Sequence, residues 1–550
     1  MSTSTLSSRA ASVRKYLITE NFFQFIVVAL TCSLCGTLTY YVLRPAFPFF
    51  SAVLAFYIIL FMLILRVSLT GPKKTRRRFS LLTIPLLMTG FWAAMHAMFD
   101  DFNIQAIMYH AVYGFTSNGI PSSYLEFGIF LFAGILIIGF AFSVGVSHSK
   151  LFSRFDAIAF VPLMLINPLV VETAQGLGFG GINTHILSSE YNPVGTLQHQ
   201  GSDRPNIIHI FLESAELTLG NEKHFGPAMR PILELQNRGL SASNILQVRN
   251  TDWTMAGMVA ANCGVPLIQP WLVASRNSSA NVSRFLPNAI CLGDILKADG
   301  YNTEYLMGAD INFAGTGDFY HDHGFQKLNG FGELTETYPN ERADWGLSDA
   351  AVFKHAELRI RDLSAQTQPY LLTLSSIGGH GPSGFLSPAC MDGTIPLKST
   401  VPIGMGVECA NALARKMLDA LEADGVLENT IVILQSDHLL MGSEFAPKLN
   451  QLDRRNLFIA FGPNIAPEVI ARKATMVDVY PTILEILGYK LPRGSAALGV
   501  SLYSKTENIM ERLGQDGFDQ AILHDADLRK LLWFENGAFN HSITSASHRK

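Results

Sequence analysis

Asn206-Ile-Ile-His-Ile-Phe-Leu212, entered through Pro205 and followed at once by Glu213-Ser214, is the stretch on which the fold turns. It is short, apolar and rich in isoleucine. It therefore reads as a strand buried on both faces rather than one alternating between core and water. Similar runs recur at Tyr370–Leu374, Thr430–Leu434 and Leu457–Phe461. Helical patterns lie between them. From Cys409 to Leu421, the apolar residues Ala410, Leu413, Met417, Leu418 and Leu421 fall on one helical face. A further helix is expected over Pro481–Leu487, stopped by Gly488. Buried strands alternating with helices predict an α/β domain around a mostly parallel sheet.

In such sheets the chemistry gathers at the carboxyl ends of the strands. The first strand ends in Glu213, a hard-metal ligand or else a cap for the next helix. The Thr430–Leu434 run leads through Gln435-Ser436 to Asp437-His438, one oxygen and one imidazole donor, or an ordinary turn. Tyr370–Leu374 leads into Ser375-Ser-Ile-Gly-Gly-His380-Gly-Pro382, where a histidine in a glycine-rich loop can approach a ligand or protonate a leaving group. Asn250-Thr-Asp-Trp-Thr254 precedes Asn262-Cys-Gly-Val-Pro-Leu267. A threonine hydroxyl of this stretch, Thr251 or Thr254, could act as a nucleophile once a bound metal lowers its pKa. Thr251, Asp252 or Thr254 can equally cap a helix starting near Trp253.

Composition splits the chain. Of 550 residues, 48% are apolar and only 16% charged, against about 25% charged in soluble proteins. Mean hydropathy is +0.23. The net charge of −4 offers no basic excess for nucleic acid. The apolar excess sits before residue 172, where five spans are expected: Phe22–Leu43, Phe49–Leu69, Leu81–Phe99, Phe127–Val146 and a proline-broken Ile158–Val171. Arg9, Arg14 and Lys15, then Lys73, Lys74, Arg76, Arg77 and Arg78, then Lys150 and Arg154 mark the cytoplasmic segments. The short outer loops carry only Arg44. The expected organisation is a transmembrane domain over 1–172, a linker over 173–202, an extracytoplasmic catalytic domain over 203–500 and its C-terminal extension over 501–550. Cys263, Cys291, Cys390 and Cys409 then lie in an oxidising compartment. Of three pairings, Cys263–Cys291 and Cys390–Cys409 close the shortest loops.

Glu, Thr, His and Asp-His in this order resemble the sulfatase-like branch of the alkaline phosphatase superfamily. Arg204–Ser214 resembles its opening strand and first metal ligand, Ser436-Asp-His438 its later ligand pair, and Val477–Gly488 its closing helix. Five spans joined to this domain resemble lipoteichoic acid synthases and the phosphoglycerol transferases that decorate periplasmic glucans. Thr251–Leu267 is most similar to the latter. The resemblance implies a Thr251 nucleophile and one divalent ion held by Glu213, Thr251, Asp437 and His438. That ion is Mn2+ in lipoteichoic acid synthases, with Zn2+ or Mg2+ as alternatives. It also implies substrate binding by His380, with Asp310 touching glycerol hydroxyls. Thr316 stands where relatives place a basic residue.

The implied enzyme is a phosphoglycerol transferase of a bacterial inner membrane. Its donor is phosphatidylglycerol, its acceptor a periplasmic glycan, and its intermediate a phospho-threonine. The alternatives are a phosphoethanolamine transferase and an inert membrane-bound ligand sensor. The first is disfavoured because no histidine occurs between His438 and His524. The second is disfavoured by the intact ligand set. Sulfate-ester chemistry is disfavoured because Cys263-Gly-Val-Pro-Leu267 lacks the sulfatase proline spacing and arginine.

Overall fold

The computed structural model describes residues 204–269, 284–343, 345–391 and 400–534, with 167–176, 184–194 and the single residues Gln105, Tyr109, Leu165, Leu197 and His199. The first four expected spans lie outside the described residues, as does the fifth apart from Leu165 and residues 167–171. Among the described residues no helix is long and apolar enough to cross a membrane. The chain divides into two compact units, Met1–Phe102 with Glu126–Glu172, and Asn103–Leu125 with Thr173–Lys550. The outer loop expected between the third and fourth spans thus belongs with the second unit, which is described below.

An eight-stranded sheet forms its centre: β1 (Asn206–Leu212), β2 (Leu240–Ala242), β3 (Asn302–Met307), β4 (Lys327–Asn329), β5 (Tyr370–Ser375), β6 (Thr430–Ser436), β7 (Phe458–Phe461) and β8 (Glu468–Ile470). Their order is β8-β2-β7-β6-β1-β5-β3-β4. β6, β1, β5, β3 and β4 run parallel, whereas β7 enters antiparallel between β6 and β2.

The continuous apolar runs have the expected cause. Along β1, Ile207 and Phe211 enter one core while Ile208, Ile210 and Leu212 enter the other. Along β6, Ile431 and Ile433 oppose Val432 and Leu434 in the same way. Helices α1 (Thr254–Cys263) and α4 (Met476–Ile486) cover the first face. Helices α2 (Asp349–Ser364) and α3 (Ile403–Ala423) cover the second.

Several local boundaries differ from the sequence reading. α4 begins five residues before Pro481, which stands inside it. Its start is set by a capping box in which Thr475 and Asp478 satisfy each other's backbone donors. α3 starts at Ile403, six residues before Cys409, because its first turns pack Ile403 and Val407 into the core. The stretch expected as a bare linker contributes Leu187 and Val194 to the core. The C-terminal extension adds Ile509–His524 and Ala526–Trp533, which bury Phe518, Leu528 and Trp533 in that same core.

Gly257 shows how tightly α1 seats on the strand ends. A β-carbon there would overlap the carbonyl oxygen of Asp437. Gly257→Ala should therefore force α1 and the segment after β6 apart. The expected cost is about 1–3 kcal/mol, read as a lowered midpoint of thermal unfolding. An unchanged midpoint would show that the two segments are not in contact.

Candidate metal centre

Strand register decides which side chains meet. Leu212 lies opposite Ser436 on the parallel pair β1–β6, so Glu213 and Asp437 emerge side by side. On the other flank of β1, Phe211 lies opposite Ser375 at the end of β5, so the loop carrying His380 starts at the same level. β3 ends level with β5, Met307 opposite Ser375, and leads towards Asp310.

Glu213, Asp437 and His438 are all buried. Their ligand atoms lie within 4.8 Å of one another. His438 Nε2 is 3.4 Å from Glu213 Oε1 and 3.4 Å from Asp437 Oδ2. These are long for hydrogen bonds. Ligands about 2.0–2.2 Å from a tetrahedral ion stand roughly 3.4 Å apart, so the spacing fits a shared cation.

Second contacts aim the donors. Asp437 Oδ1 accepts the backbone N–H groups of Ser214 and His438, both at 2.9 Å. Oδ2, although buried, has no hydrogen-bond partner among the described residues. His438 Nδ1 lies 2.8 Å from the Leu439 carbonyl, to which it donates, leaving Nε2 for the cluster. Gly379 packs so closely on the Glu213 carbonyl that a side chain there would overlap it.

The electrostatics say the same. Burial, and then the Glu213 charge, push the Asp437 carboxyl well above the usual carboxylate range. Burial would lower His438, but the charges of Asp437 and Glu213 prevail and hold it protonated. Burial would raise Glu213, yet its bond with His438 and the nearby imidazoles keep it ionised. Protons here occupy the place of positive charge. A divalent cation supplies that charge with all three ligands deprotonated.

The hydroxyl that joins this cluster belongs to Thr254. It is the first residue of α1, after an extended Trp253 (φ −143°, ψ 163°). Its Oγ1 is 3.5 Å from Glu213 Oε2 and 3.4 Å from His438 Nε2. Thr251 is not brought there. It is fully buried, donates to the Val248 carbonyl at 2.7 Å and accepts the Val248 N–H at 3.3 Å. The reason is backbone: Asn250 takes φ 60°, which closes a turn and tucks Thr251 inward before the helix begins. The N-cap residue itself, Trp253, makes no side-chain capping hydrogen bond.

His380 is half-buried, and its imidazole adds to the field that keeps Glu213 ionised. Its Nδ1 lies 3.0 Å from the Gly381 carbonyl. Asp310 is half-buried and accepts from the backbone and side-chain amides of Asn312 at 2.9 and 3.1 Å. Thr316 is buried and donates to the Phe313 carbonyl at 2.7 Å, facing inward rather than towards a ligand. Cys263 joins Cys291, and Cys390 joins Cys409.

The sequence reading missed Ser376, whose hydroxyl accepts the Glu213 N–H at 3.0 Å. It also missed Trp345 and Asp349. The Trp345 ring lies 4.2 Å from that of His380. Asp349 accepts the N–H groups of Ile377 and Gly378, and burial pushes its carboxyl up to about 6. A Ser-Asp pair at a helix start, Ser348-Asp349, was the only sequence signal available. Two open grooves of about 460 and 520 Å³ share no lining residue with the cluster, so donor chemistry rather than concavity marks the site.

Residues 205–489 match the Sulfatase family model. The chain is 36% identical over 293 residues to "Phosphoglycerol transferase I" of Citrobacter koseri, covering 52% of this chain and 37% of that protein. It is 36% identical over 339 residues to the Escherichia coli protein of the same name, covering 60% and 43%. The chain thus spans about two-fifths of the length of the curated relatives it matches. Its fold is similar to the crystal structure of the lipoteichoic acid synthase LtaP from Listeria monocytogenes. The TM-score is 0.45 and the identity 16%, over 64% of this chain and 97% of that one.

Elemental analysis of the purified protein should return one divalent cation per chain. The other cluster of metal-ligand type among the described residues, Cys291, Asp294 and His323, has its cysteine in a disulfide. A ratio near two would contradict this and favour a phosphoethanolamine transferase. Asp437→Asn, which removes the anionic oxygen left bare, should lower occupancy. Occupancy equal to the parent would remove Asp437 from the ligand set.

Proposed function

The chain belongs to the sulfatase family, and from that premise we propose that it is a phosphotransferase carrying phosphoglycerol from phosphatidylglycerol to a periplasmic glycan. The observation that carries this reading is the Thr254 hydroxyl, 3.4–3.5 Å from His438 and Glu213 at the start of α1. A hydroxyl among metal-type donors is the arrangement of an activated nucleophile. Sulfatase chemistry through Cys263 is closed, because that sulfur is bonded to Cys291. The printed names of the relatives supply the substrate class.

Glu213, Asp437 and His438 would hold the cation, with Thr254 the fourth donor. Mn2+ is the proposed ion. When bound, it supplies positive charge that lowers the Thr254 pKa and offsets charge on the phosphoryl oxygens. The protein does the rest. The Thr254 oxygen attacks the lipid phosphorus and its proton passes to water. The bond from phosphorus to the diacylglycerol oxygen breaks, and His380 protonates that oxygen. A phosphoglyceryl-Thr254 ester remains. In the second half His380 takes the proton of a glycan hydroxyl, whose oxygen attacks phosphorus; the bond from phosphorus to Thr254 breaks, and a proton from water restores the threonine hydroxyl. Asp310 is proposed to orient the glycerol hydroxyls. This chemistry requires the membrane-anchored topology read from the charges, with residues 203–550 outside the cytoplasm.

Thr254→Ala should lower transfer by about 10³-fold or more and abolish a phosphoglyceryl adduct that mass spectrometry should find on the parent protein. Thr251→Ala should keep the adduct. The reverse pattern would return the nucleophile to Thr251, and an adduct on neither would remove the covalent step. In cells, a reporter active only in the periplasm should be active when fused after Lys550 and silent when fused near Lys74. The opposite pattern would separate the site from both lipid headgroup and glycan.

A further inference from the structure

The segment from Trp345 to Asp349 grips the loop that presents His380 at two points. At one end, Asp349 Oδ1 accepts the Ile377 N–H and Oδ2 accepts the Gly378 N–H, both at 2.8 Å. At the other, the indole of Trp345 lies against the imidazole of His380, with ring centres 4.2 Å apart and planes tilted by 38°. Three residues separate the two grips, and both gripping residues are buried. The loop cannot slide away. Gly378 is wedged between the Asp349 carboxylate and the Gly406 backbone near the start of α3, where neither glycine has room for a side chain. Phe313 packs edge-on against the indole, with ring centres 5.7 Å apart.

An isolated histidine on a glycine-rich loop samples many orientations, each costing effective concentration at the reacting atom. This histidine has its backbone level set by two hydrogen bonds and its ring plane set by an aromatic face. We propose that Trp345 and Asp349 are positioning residues that act through His380. They hold its imidazole where a leaving or entering oxygen arrives, without touching the substrate themselves. This rests on the proposed use of His380 in transfer.

The two grips differ in what they tolerate. Both carboxylate oxygens of Asp349 receive a backbone N–H. An asparagine offers one oxygen and one NH2, so one of the two N–H groups loses its acceptor although size is unchanged. The Trp345 contact needs a flat apolar face, which phenylalanine retains and alanine does not.

The test uses the full-length, metal-loaded protein with two donors, phosphatidylglycerol and the generic diester bis(p-nitrophenyl) phosphate. Trp345→Ala and Asp349→Asn should each lower kcat by about 10- to 100-fold. KM and metal content should stay near parent values. Trp345→Phe should recover most of the loss. Added to His380→Ala, neither substitution should lower kcat much further, because residues acting through one group are not additive. Multiplicative losses in the double variants would overturn the proposal. So would parent-like kcat in both single variants, a loss confined to KM, or a metal content that falls with activity. If Trp345→Ala fails to fold, Trp345→Phe and Asp349→Asn decide the matter alone. Parent protein that cleaves the generic diester but not phosphatidylglycerol would refute the donor reading only, and the variant ratios on the diester would still judge Trp345 and Asp349.

Discussion

Two carboxylates buried within a few ångströms of each other cannot both stay charged in a dry interior unless positive charge lies between them. Glu213 and Asp437 are in that position because β1 and β6 end level, and strand register is not adjustable by side-chain motion. The rest of the structure answers this constraint. His438 follows Asp437 directly and brings an imidazole. Ser214, Ser376 and Leu439 use backbone and hydroxyl groups to fix which oxygen or nitrogen points inward. α1 seats its first turn against the cluster, which its glycine at position 257 allows. A site of this kind is destabilising as built and becomes favourable when a cation completes it. Structural economy alone would have placed hydrophobic residues there.

How far the site was legible follows from how far each residue lies from a strand. Glu213, Asp437 and His438 come immediately after buried strands, so a continuous apolar run locates them within a few residues of its end. His380 lies five residues beyond Ser375 and could be placed on a loop but not in space. Thr254 lies more than forty residues beyond β1, behind a turn whose left-handed Asn250 has no signature in residue type alone. Counting along the chain favoured Thr251, and three-dimensional packing favours its neighbour. Trp345 and Asp349 come from the connection between β4 and β5. Only tertiary contact reveals that they serve another strand's loop.

The fold itself was more legible than its edges. Continuous apolar runs announced a sheet covered on both sides, and the two cores confirm why. Helix starts were less visible where capping chemistry outweighed apolar periodicity. Pro481 suggested a beginning, whereas Thr475 and Asp478 provide the cap. The stretch before residue 203 lacked a strong pattern, yet Leu187 and Val194 are buried and Ser188 hydrogen-bonds Asp525 from the far end of the chain. Long-range pairing of this sort leaves no local trace.

The bond from Cys263 to Cys291 has a bearing on when the protein becomes competent, as well as on how firmly it is built. Cys263 is the last residue of the helix whose first residue is Thr254. That helix is therefore seated against charge at one end and stapled by sulfur at the other. The staple can be set only where thiols are oxidised. In a reducing compartment the same helix would carry Thr254 while tethered at one end only. Under the proposed mechanism, oxidation of this one pair of sulfurs would therefore be a step in completing the site itself.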